Sequence, residues 1–401
     1  MRFLYLLILA CGLNGLPAAA QQFSLIKDIN TASNTAASSP ANFVLIGTTL
    51  YFTANSAAGG TELWKSDGTA AGTVLVKDIN PGTGSSAPSY LTNVAGTLFF
   101  AASNGTNGAE LWKSDGTAAG TVLVKDIYSG PTGSNPANLF NFGGTLFFQA
   151  YDPYNATELW KSDGTAAGTV LVKDINPGSN AGSGPGSFVD LSGTLLFVAA
   201  DAVNGRELWK TDGTAAGTVL VKDINAGYTD SNPYSFINVA GTLYFGATTA
   251  TNGTELWKTD GTAAGTVLLK DINSGTSNSS PASLTNISGT LFFQANNGTN
   301  GTELWKSNGT AAGTVLVKDI NAGAGNSGPS NFTSMGTSIF FSAFDATNGS
   351  ELWKTDGTAA GTVLVKDLFS GSTSSNPTVF RVIGSTLFFQ ATDANNAELW
   401  K

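Results

Sequence analysis

Short apolar runs separated by turn-forming residues dominate this chain. Within residues 88–135, β-favouring runs at 89–94 and 97–102 flank Ala95-Gly96, which predicts a tight hairpin. Two further runs, at 109–114 and 121–127, flank the turn sequence Asp-Gly-Thr-Ala-Ala-Gly. No window shows a sustained apolar period of 3.6 residues. The pattern therefore predicts four antiparallel strands, named A to D, and no helices.

This unit recurs along the whole chain. Glu-Leu-Trp-Lys occurs eight times at intervals of 47 to 49 residues, with its tryptophans at Trp64, Trp112, Trp160, Trp209, Trp257, Trp305, Trp353 and Trp400. A fixed period of this length indicates one supersecondary unit stacked on copies of itself. We expect an all-β, eight-bladed β-propeller with the tryptophans packed between blades. A parallel β-helix is the alternative, although its coils are shorter and lack consecutive hairpins.

The two ends of the chain complement each other. Residues 24–29 predict a lone D strand, and residues 398–401 a C strand without a successor. We expect the N-terminal strand to complete the eighth blade, which would close the ring and make the chain complete. Pairing of Ser66 with Thr73 sets the expected register of the C and D strands. It predicts these cross-strand pairs: Trp64 with Leu75, Glu62 with Lys77, and Lys27 with Glu398.

The N-terminus has the features of a secretory signal peptide. Arg2 precedes an apolar run at 3–13 and small residues at 18–20, which predicts a leader over 1–20 and a single propeller domain over 21–401. No later segment is apolar for roughly 20 residues, so membrane insertion is not expected. We expect a secreted protein, extracellular or at the cell surface, with the periplasm as an alternative. A lipoprotein acylated at Cys11 fits the leader less well.

Composition removes much catalytic chemistry. The chain has no histidine, and its one cysteine, Cys11, lies in the predicted leader. The commonest general base and the thiolate nucleophile are therefore missing, and we expect neither an enzyme nor a cofactor or metal site. Removal of the leader leaves 18 basic and 28 acidic residues without a basic cluster. Nucleic acid is therefore not an expected partner.

Seven copies carry Glu-Leu-Trp-Lys-x-(Asp/Asn)-Gly-Thr, as at 62–69, followed by Ala-Ala-Gly-Thr and a Val-Leu-Val-Lys-Asp-Ile-like strand. The chain resembles the bacterial exported proteins built from ELW-x-x-DGT repeats, over essentially its whole mature length. The resemblance implies a secreted, propeller-like repeat protein and supplies no catalytic residues. Two departures are Asn308 in place of the turn aspartate and an eighth copy that ends at Lys401, before its turn.

Most charges belong to the repeat, and a repeated charge predicts a repeated structural role. The aspartate of each Asp-Gly-Thr turn is expected to accept hydrogen bonds from nearby backbone N–H groups, with glycine at positive φ. A calcium site in each turn is the functional alternative. The acidic residues outside the repeat pattern are Asp152, Asp190, Asp201, Asp230, Asp345 and Asp393, and the basic residues outside it, once the leader is removed, are Arg206 and Arg381.

In a propeller, the D-to-A and B-to-C connections share one face. Here these connections vary in sequence and length, whereas the A-to-B and C-to-D connections are nearly invariant. Variable loops on a fixed scaffold favour recognition, with drift of unconstrained loops as the alternative. The unusual residues concentrate in blades three to five. They are predicted as a ligand site for a glycan or protein: Tyr128, Tyr151, Asp152, Tyr154, Asp201, Arg206, Tyr228, Asp230 and Tyr234.

Three functions stay open at this point. A non-enzymatic binding or adhesion module, or scaffold, fits the variable loops best. A polysaccharide hydrolase or lyase would need Asp152, Asp201 or Asp230 as acid and base, with two carboxylates about 5–10 Å apart. A structural surface or matrix component would depend on the repeated framework, and its variable loops would be dispensable.

Overall fold

The computed structural model describes residues 24–31, 37–178, 181–394 and 396–401, so the predicted leader lies outside the described residues. Within these ranges the chain forms 31 strands and no helix. The strands form eight antiparallel sheets, seven with four strands and one with three, each built from strands consecutive in sequence. The predicted all-β, eight-bladed, propeller-like architecture is confirmed.

The sheets are called blades one to eight in chain order. The strands of blades one to four are β1 (Ala41–Ile46), β2 (Thr49–Ser56), β3 (Gly60–Ser66), β4 (Val74–Lys77), β5 (Ser89–Val94), β6 (Thr97–Ser103), β7 (Ala109–Ser114), β8 (Val122–Lys125), β9 (Ala137–Phe142), β10 (Thr145–Asp152), β11 (Ala156–Ser162), β12 (Val170–Lys173), β13 (Gly186–Leu191), β14 (Thr194–Asp201), β15 (Gly205–Thr211) and β16 (Val219–Lys222).

The strands of blades five to eight are β17 (Tyr234–Val239), β18 (Thr242–Thr249), β19 (Gly253–Thr259), β20 (Val267–Lys270), β21 (Ala282–Ile287), β22 (Thr290–Asn296), β23 (Thr302–Ser307), β24 (Val315–Lys318), β25 (Ser330–Met335), β26 (Ser338–Asp345), β27 (Gly349–Thr355), β28 (Val363–Lys366), β29 (Thr378–Ile383), β30 (Thr386–Asp393) and β31 (Asn396–Trp400).

Local sequence explains the hairpins. Between β5 and β6, Ala95 and Gly96 have φ of 49° and 89°, and Val94 pairs with Thr97. Positive φ at both central positions gives the twist that a two-residue hairpin needs. The D strand, β8, is shorter than the predicted 121–127, because pairing stops at Lys125.

The tryptophans fill the seams between blades. Trp112 packs in one cluster with Phe100 of its own blade and with Leu63, Val76 and Ile79 of the preceding blade. The first seven tryptophans of the motif are only 5–8% exposed. This confirms the predicted packing between blades.

The repeated lysines also join blades. Lys65 Nζ donates to the carbonyl oxygen of Gly116 at 2.8 Å, and Lys77 Nζ donates to that of Thr121 at 2.8 Å. Lys77 also lies 6.0 Å above the ring of Trp112. Each lysine thus reaches from one blade to the next, which supports a structural role for these charges.

The predicted register is correct at one pair and wrong at another. Trp64 pairs with Leu75, and the side chains of Ser66 and Thr73 share a hydrogen bond of 2.7 Å. However, the register shifts between Leu63 and Trp64, so Lys77 lies opposite Leu63. This irregularity displaces the strand by one residue, and Glu62 does not face Lys77.

Residues 24–29 are not a strand of the eighth blade, which contains β29, β30 and β31. Lys27 Nζ instead donates to the carbonyl oxygen of Thr73 in the first blade at 2.7 Å, and Ile29 packs near Trp64. Glu398 is exposed. The predicted pairing of Lys27 with Glu398 is therefore not present, and a closed ring is not shown.

Candidate functional site

Buried glutamates anchor the D-to-A connections. Glu62 is 0% exposed, and its carboxylate accepts hydrogen bonds from Ile79 N at 3.0 Å, Ser86 N at 2.8 Å and Ser86 Oγ at 2.5 Å. The glutamates of blades two to seven bind the equivalent backbone and serine groups: Glu110, Glu158, Glu207, Glu255, Glu303 and Glu351. This role was not expected from the sequence, although a Ser-x-Pro sequence precedes each A strand.

Burial changes the acidity of these glutamates. Desolvation raises the pKa of the Glu207 carboxyl from 4.5 to about 7, and hydrogen bonds from Ser231 and Ile224 partly oppose that rise. Burial raises the pKa in the same direction in five more blades, at Glu62, Glu110, Glu158, Glu255 and Glu303. The glutamates that anchor the D-to-A connections are therefore sensitive to pH.

Three of the predicted tyrosines lie at the seam between blades two and three. Tyr128 follows β8, and its backbone N–H donates to Glu110 Oε1 at 3.2 Å. Its ring centroid lies 5.3 Å from that of Tyr151 on β10, with the planes tilted by 51°. Glu110 thus fixes the backbone that carries one half of an aromatic pair.

Asp152 builds the turn that presents the third tyrosine. Its Oδ1 accepts from Tyr154 N at 2.8 Å and Asn155 N at 2.9 Å, and both carboxylate oxygens accept from Asn155 Nδ2. Asp152 is 6% exposed, whereas Tyr154 is 89% exposed. Asp201 and Asp345 form the same turn in other blades. The carboxylate of Asp152 is therefore part of the framework.

These residues border an open cavity of about 480 Å³ between the two blades. Its lining comprises Lys125, Ile127, Tyr128, Ser129, Asp152, Pro153, Tyr154, Asn155, Trp160 and Leu171. We call this cavity, with the adjoining Tyr151, the tyrosine cleft. Its volume falls within the range of small-molecule sites.

Blade three carries alanine at a position where most blades have glycine. Ala156 has φ of 58°, at a position where blades one, two and four to seven have glycine. A Cβ at the equivalent Gly301 would lie 2.1 Å from the carbonyl oxygen of Gly325. The left-handed conformation costs a non-glycine residue about 1–2 kcal/mol. Blade three thus keeps the backbone conformation of the other blades but carries a Cβ at this position, next to Asn155 of the tyrosine cleft.

Arg206 joins two neighbouring loops. Its guanidinium donates to the carbonyl oxygens of Gly184 at 3.0 Å and Ser183 at 3.4 Å, and its backbone N–H donates to Asp230 Oδ1 at 2.8 Å. Burial lowers the pKa of Arg206, and the charge of Asp230 opposes this shift. Tyr228, next to this group, is 83% exposed. Arg206 and Asp230 are therefore held by the loop framework.

The two remaining predicted site residues are Asp201 and Tyr234. Asp201 Oδ1 accepts from Val203 N at 2.8 Å and Asn204 N at 2.6 Å, so it shapes a turn. Tyr234 lies on β17 opposite Gly246, and a Cβ added to Gly246 would lie 2.4 Å from Cζ of Tyr234. Burial and the charge of Glu255 raise the pKa of Tyr234 to about 12. Tyr234 is thus a packed strand residue.

The structure therefore brings together Tyr128, Tyr151, Asp152 and Tyr154, and separately Arg206, Tyr228 and Asp230. In the described ranges, no group of three or more His, Cys, Asp or Glu could hold a metal ion. The Asp-Gly-Thr turns follow the structural prediction: Asp67 Oδ1 accepts from Thr69 N at 2.9 Å. No helix of the described residues is long and apolar enough to cross a membrane.

No protein-family model matches the chain, and no curated protein matches it. Among solved structures, a computationally designed protein, Ika8, shares 12% identity at a TM-score of 0.45, covering 94% of this chain and 98% of its own. Puromycin hydrolase shares 15% identity at 0.40, covering 90% of this chain. A puromycin-hydrolyzing peptidase of Mycobacterium tuberculosis shares 12% identity at 0.39, covering 88%.

The chain spans 60% and 57% of the length of those two hydrolases. At this low identity and these TM-scores, the similarities carry no argument about activity. The fold assignment rests on the eight antiparallel sheets of this chain.

Proposed function

We propose that this chain is an exported, non-enzymatic binding or adhesion module of the ELW-x-x-DGT repeat kind, and that its ligand binds at the tyrosine cleft. The observation that carries the proposal is the concentration of Tyr128, Tyr151 and Tyr154 at one seam of an otherwise repetitive scaffold.

Comparison between blades supports a ligand-binding role for Tyr128. Six repeats have asparagine at its position: Asn30, Asn80, Asn176, Asn225, Asn273 and Asn321. Asn225 Oδ1 accepts from Ala250 N at 2.9 Å, and Asn321 Oδ1 from Ala346 N at 3.2 Å. These contacts tie a D-to-A loop to the next B-to-C turn. Blade two replaces this hydrogen bond with an aromatic surface, which favours ligand contact over framework strength.

The same contacts weigh against a carboxylate-based hydrolase or lyase. Asp152 and Asp201 accept hydrogen bonds from the N–H groups of their own turns. These contacts commit both carboxylates to their own turns, which leaves them poorly placed to exchange a proton with a substrate. Asp230 holds the backbone of Arg206. The non-enzymatic alternative therefore remains our proposal.

The test is a binding screen of residues 21–401 on glycan and protein arrays, followed by titration of each hit against matched variants. Tyr128→Asn introduces the asparagine that six other repeats have at this position, and Tyr154→Ala removes the exposed ring. Tyr228→Ala is the control, because Tyr228 is equally exposed but outside the cleft. We expect the first two variants to lose binding and the control to retain it, at unchanged thermal stability.

Two outcomes would contradict the proposal. Equal loss of binding in Tyr228→Ala would show that the cleft is not the site. Loss of binding in Asp163→Ala, with the fold intact, would move the site to the face of the Asp-Gly-Thr turns. A protein that binds nothing on either array would favour the structural-component alternative.

A further inference from the structure

The chemistry of the tyrosine cleft narrows the class of ligand. Its charged side chains are committed to the framework: Asp152 accepts from its own turn, and Lys125 Nζ donates to the carbonyl oxygen of Thr169 at 2.8 Å while lying 5.9 Å above the ring of Trp160. The groups left for a ligand are neutral, namely the hydroxyls of Ser129 and the tyrosines and the amide oxygen of Asn155.

Hydroxyl groups both donate and accept hydrogen bonds, and so do the hydroxyls of a sugar. A tyrosine ring adds a flat apolar face with a polar edge, which matches the C–H face and hydroxyl rim of a pyranose. Tyr154 is 89% exposed and offers such a face at the mouth of the cleft. The cavity of about 480 Å³ leaves room for one or two sugar rings.

A proline-rich peptide is the competing occupant of an aromatic-lined groove. Such a peptide presents backbone carbonyls, which need N–H or O–H donors. Trp160 is 7% exposed, and its indole nitrogen is buried without a partner, so this donor does not reach the cleft surface. The cleft hydroxyls can donate to either ligand, but they and the Asn155 amide oxygen also accept hydrogen bonds. The hydroxyls of a sugar supply donors for them, whereas proline has no backbone N–H, and this favours the sugar.

The aromatic surface is also preorganised. Glu110 holds the backbone of Tyr128, and Asp152 holds the backbone N–H of Tyr154. Fixing these positions before binding lowers the ordering cost of recognition, which matters for a ligand that makes weak individual contacts.

We propose that the tyrosine cleft binds a neutral saccharide, with one pyranose ring stacked on Tyr154 and hydroxyl contacts to Tyr128, Ser129 and Asn155. This inference rests on the proposed function and specifies its ligand. Because no charge pair holds the ligand, affinity should change little with salt concentration.

The experiment uses calorimetric titration of residues 21–401 with three panels: neutral hexose, pentose and N-acetylhexosamine oligosaccharides, uronate oligosaccharides, and proline-rich peptides. We expect a neutral oligosaccharide to bind, Tyr154→Ala to weaken it about tenfold, and Tyr154→Phe to retain most of the affinity. Tyr228→Ala serves as the control. Titrations at low and high NaCl should agree within about twofold.

The outcomes separate the two proposals. Tyr154-dependent binding of uronates, with strong salt dependence, or of peptides alone would overturn the saccharide inference and leave the binding function standing. Array hits that depend on Tyr154 but are not neutral saccharides would also overturn the saccharide inference and leave the binding function standing. If no hit depends on Tyr154 in any panel, both the inference and the proposed site are wrong.

Discussion

Replacing Glu110 by glutamine tests whether a buried anchor controls the tyrosine cleft. The Glu110 carboxylate accepts from four groups: Ile127 N at 3.0 Å, Tyr128 N at 3.2 Å, Ser134 N at 2.7 Å and Ser134 Oγ at 2.5 Å. Glutamine keeps one acceptor oxygen and puts an NH₂ group in place of the other. That NH₂ faces backbone N–H groups, which cannot turn to accept.

The loss of stability in Glu110→Gln follows from the hydrogen-bond donors that lose their acceptor. The hydroxyl of Ser134 can rotate and accept from the amide, so the loss falls on one or two buried backbone N–H groups. Each unsatisfied buried group costs about 1–3 kcal/mol, so the variant should lose roughly 1–6 kcal/mol of unfolding free energy. Release of Tyr128 N should also loosen the cleft and weaken ligand binding.

A matched variant isolates the effect on the site. Glu303 makes the equivalent contacts in blade six, with Ile320 N at 2.7 Å and Ser327 N at 2.9 Å. Glu303→Gln should therefore cost a similar free energy but leave binding unchanged. Urea unfolding measures the first quantity and titration of the array hit measures the second. A stability loss below about 1 kcal/mol in both variants would refute the hydrogen-bond argument. Equal loss of affinity in both would refute the local positioning of Tyr128.

Three further predictions follow from the framework. Burial raises the pKa of the Glu207 carboxyl from 4.5 to about 7. Its contribution to the stability of the fold is therefore complete below pH 4.5 and is lost as the pH rises through 7. Urea midpoints should be higher at pH 5 than at pH 8, and the difference should be smaller in Glu207→Gln. Gly301→Ala should destabilise clearly more than Gly289→Ala, since both have positive φ but only Gly301 lacks room for a Cβ, as thermal unfolding would show. Trp160→Ala should cost roughly 3–5 kcal/mol in urea unfolding, whereas Tyr154→Ala should cost little, and equal costs would make Tyr154 a core residue.

Sequence periodicity predicted most of the fold. The spacing of Glu-Leu-Trp-Lys and of the hairpin turns gave the blades, their strand order and the packing of Trp112, because these depend on local turn chemistry and burial. It could not predict the register shift between Leu63 and Trp64, since residues 74–76 of the partner strand are all apolar and show no alternation that a shift would interrupt.

The candidate site was predicted in part. Blade connectivity was enough to expect Tyr128 beside Tyr151, and the structure places their rings together. The roles of Asp152 and Arg206 were not predictable, because both side chains bind backbone atoms whose positions depend on the folded loops. Tyr234 was assigned to a loop, but it packs on a strand over Gly246.

The buried glutamates have a consequence for how this protein diversifies. Each carboxylate holds both ends of its loop, such as Ile127 N and Ser134 N, and of the six residues 128–133 between them only Tyr128 also contacts the anchor, through its backbone N–H. The corresponding segment of blade three, 176–182, has one more residue between the same two anchors. Loops of different sequence and length can therefore connect the same two anchor points. Moving segment 128–133 to another blade would transplant half of the aromatic pair without redesigning the scaffold.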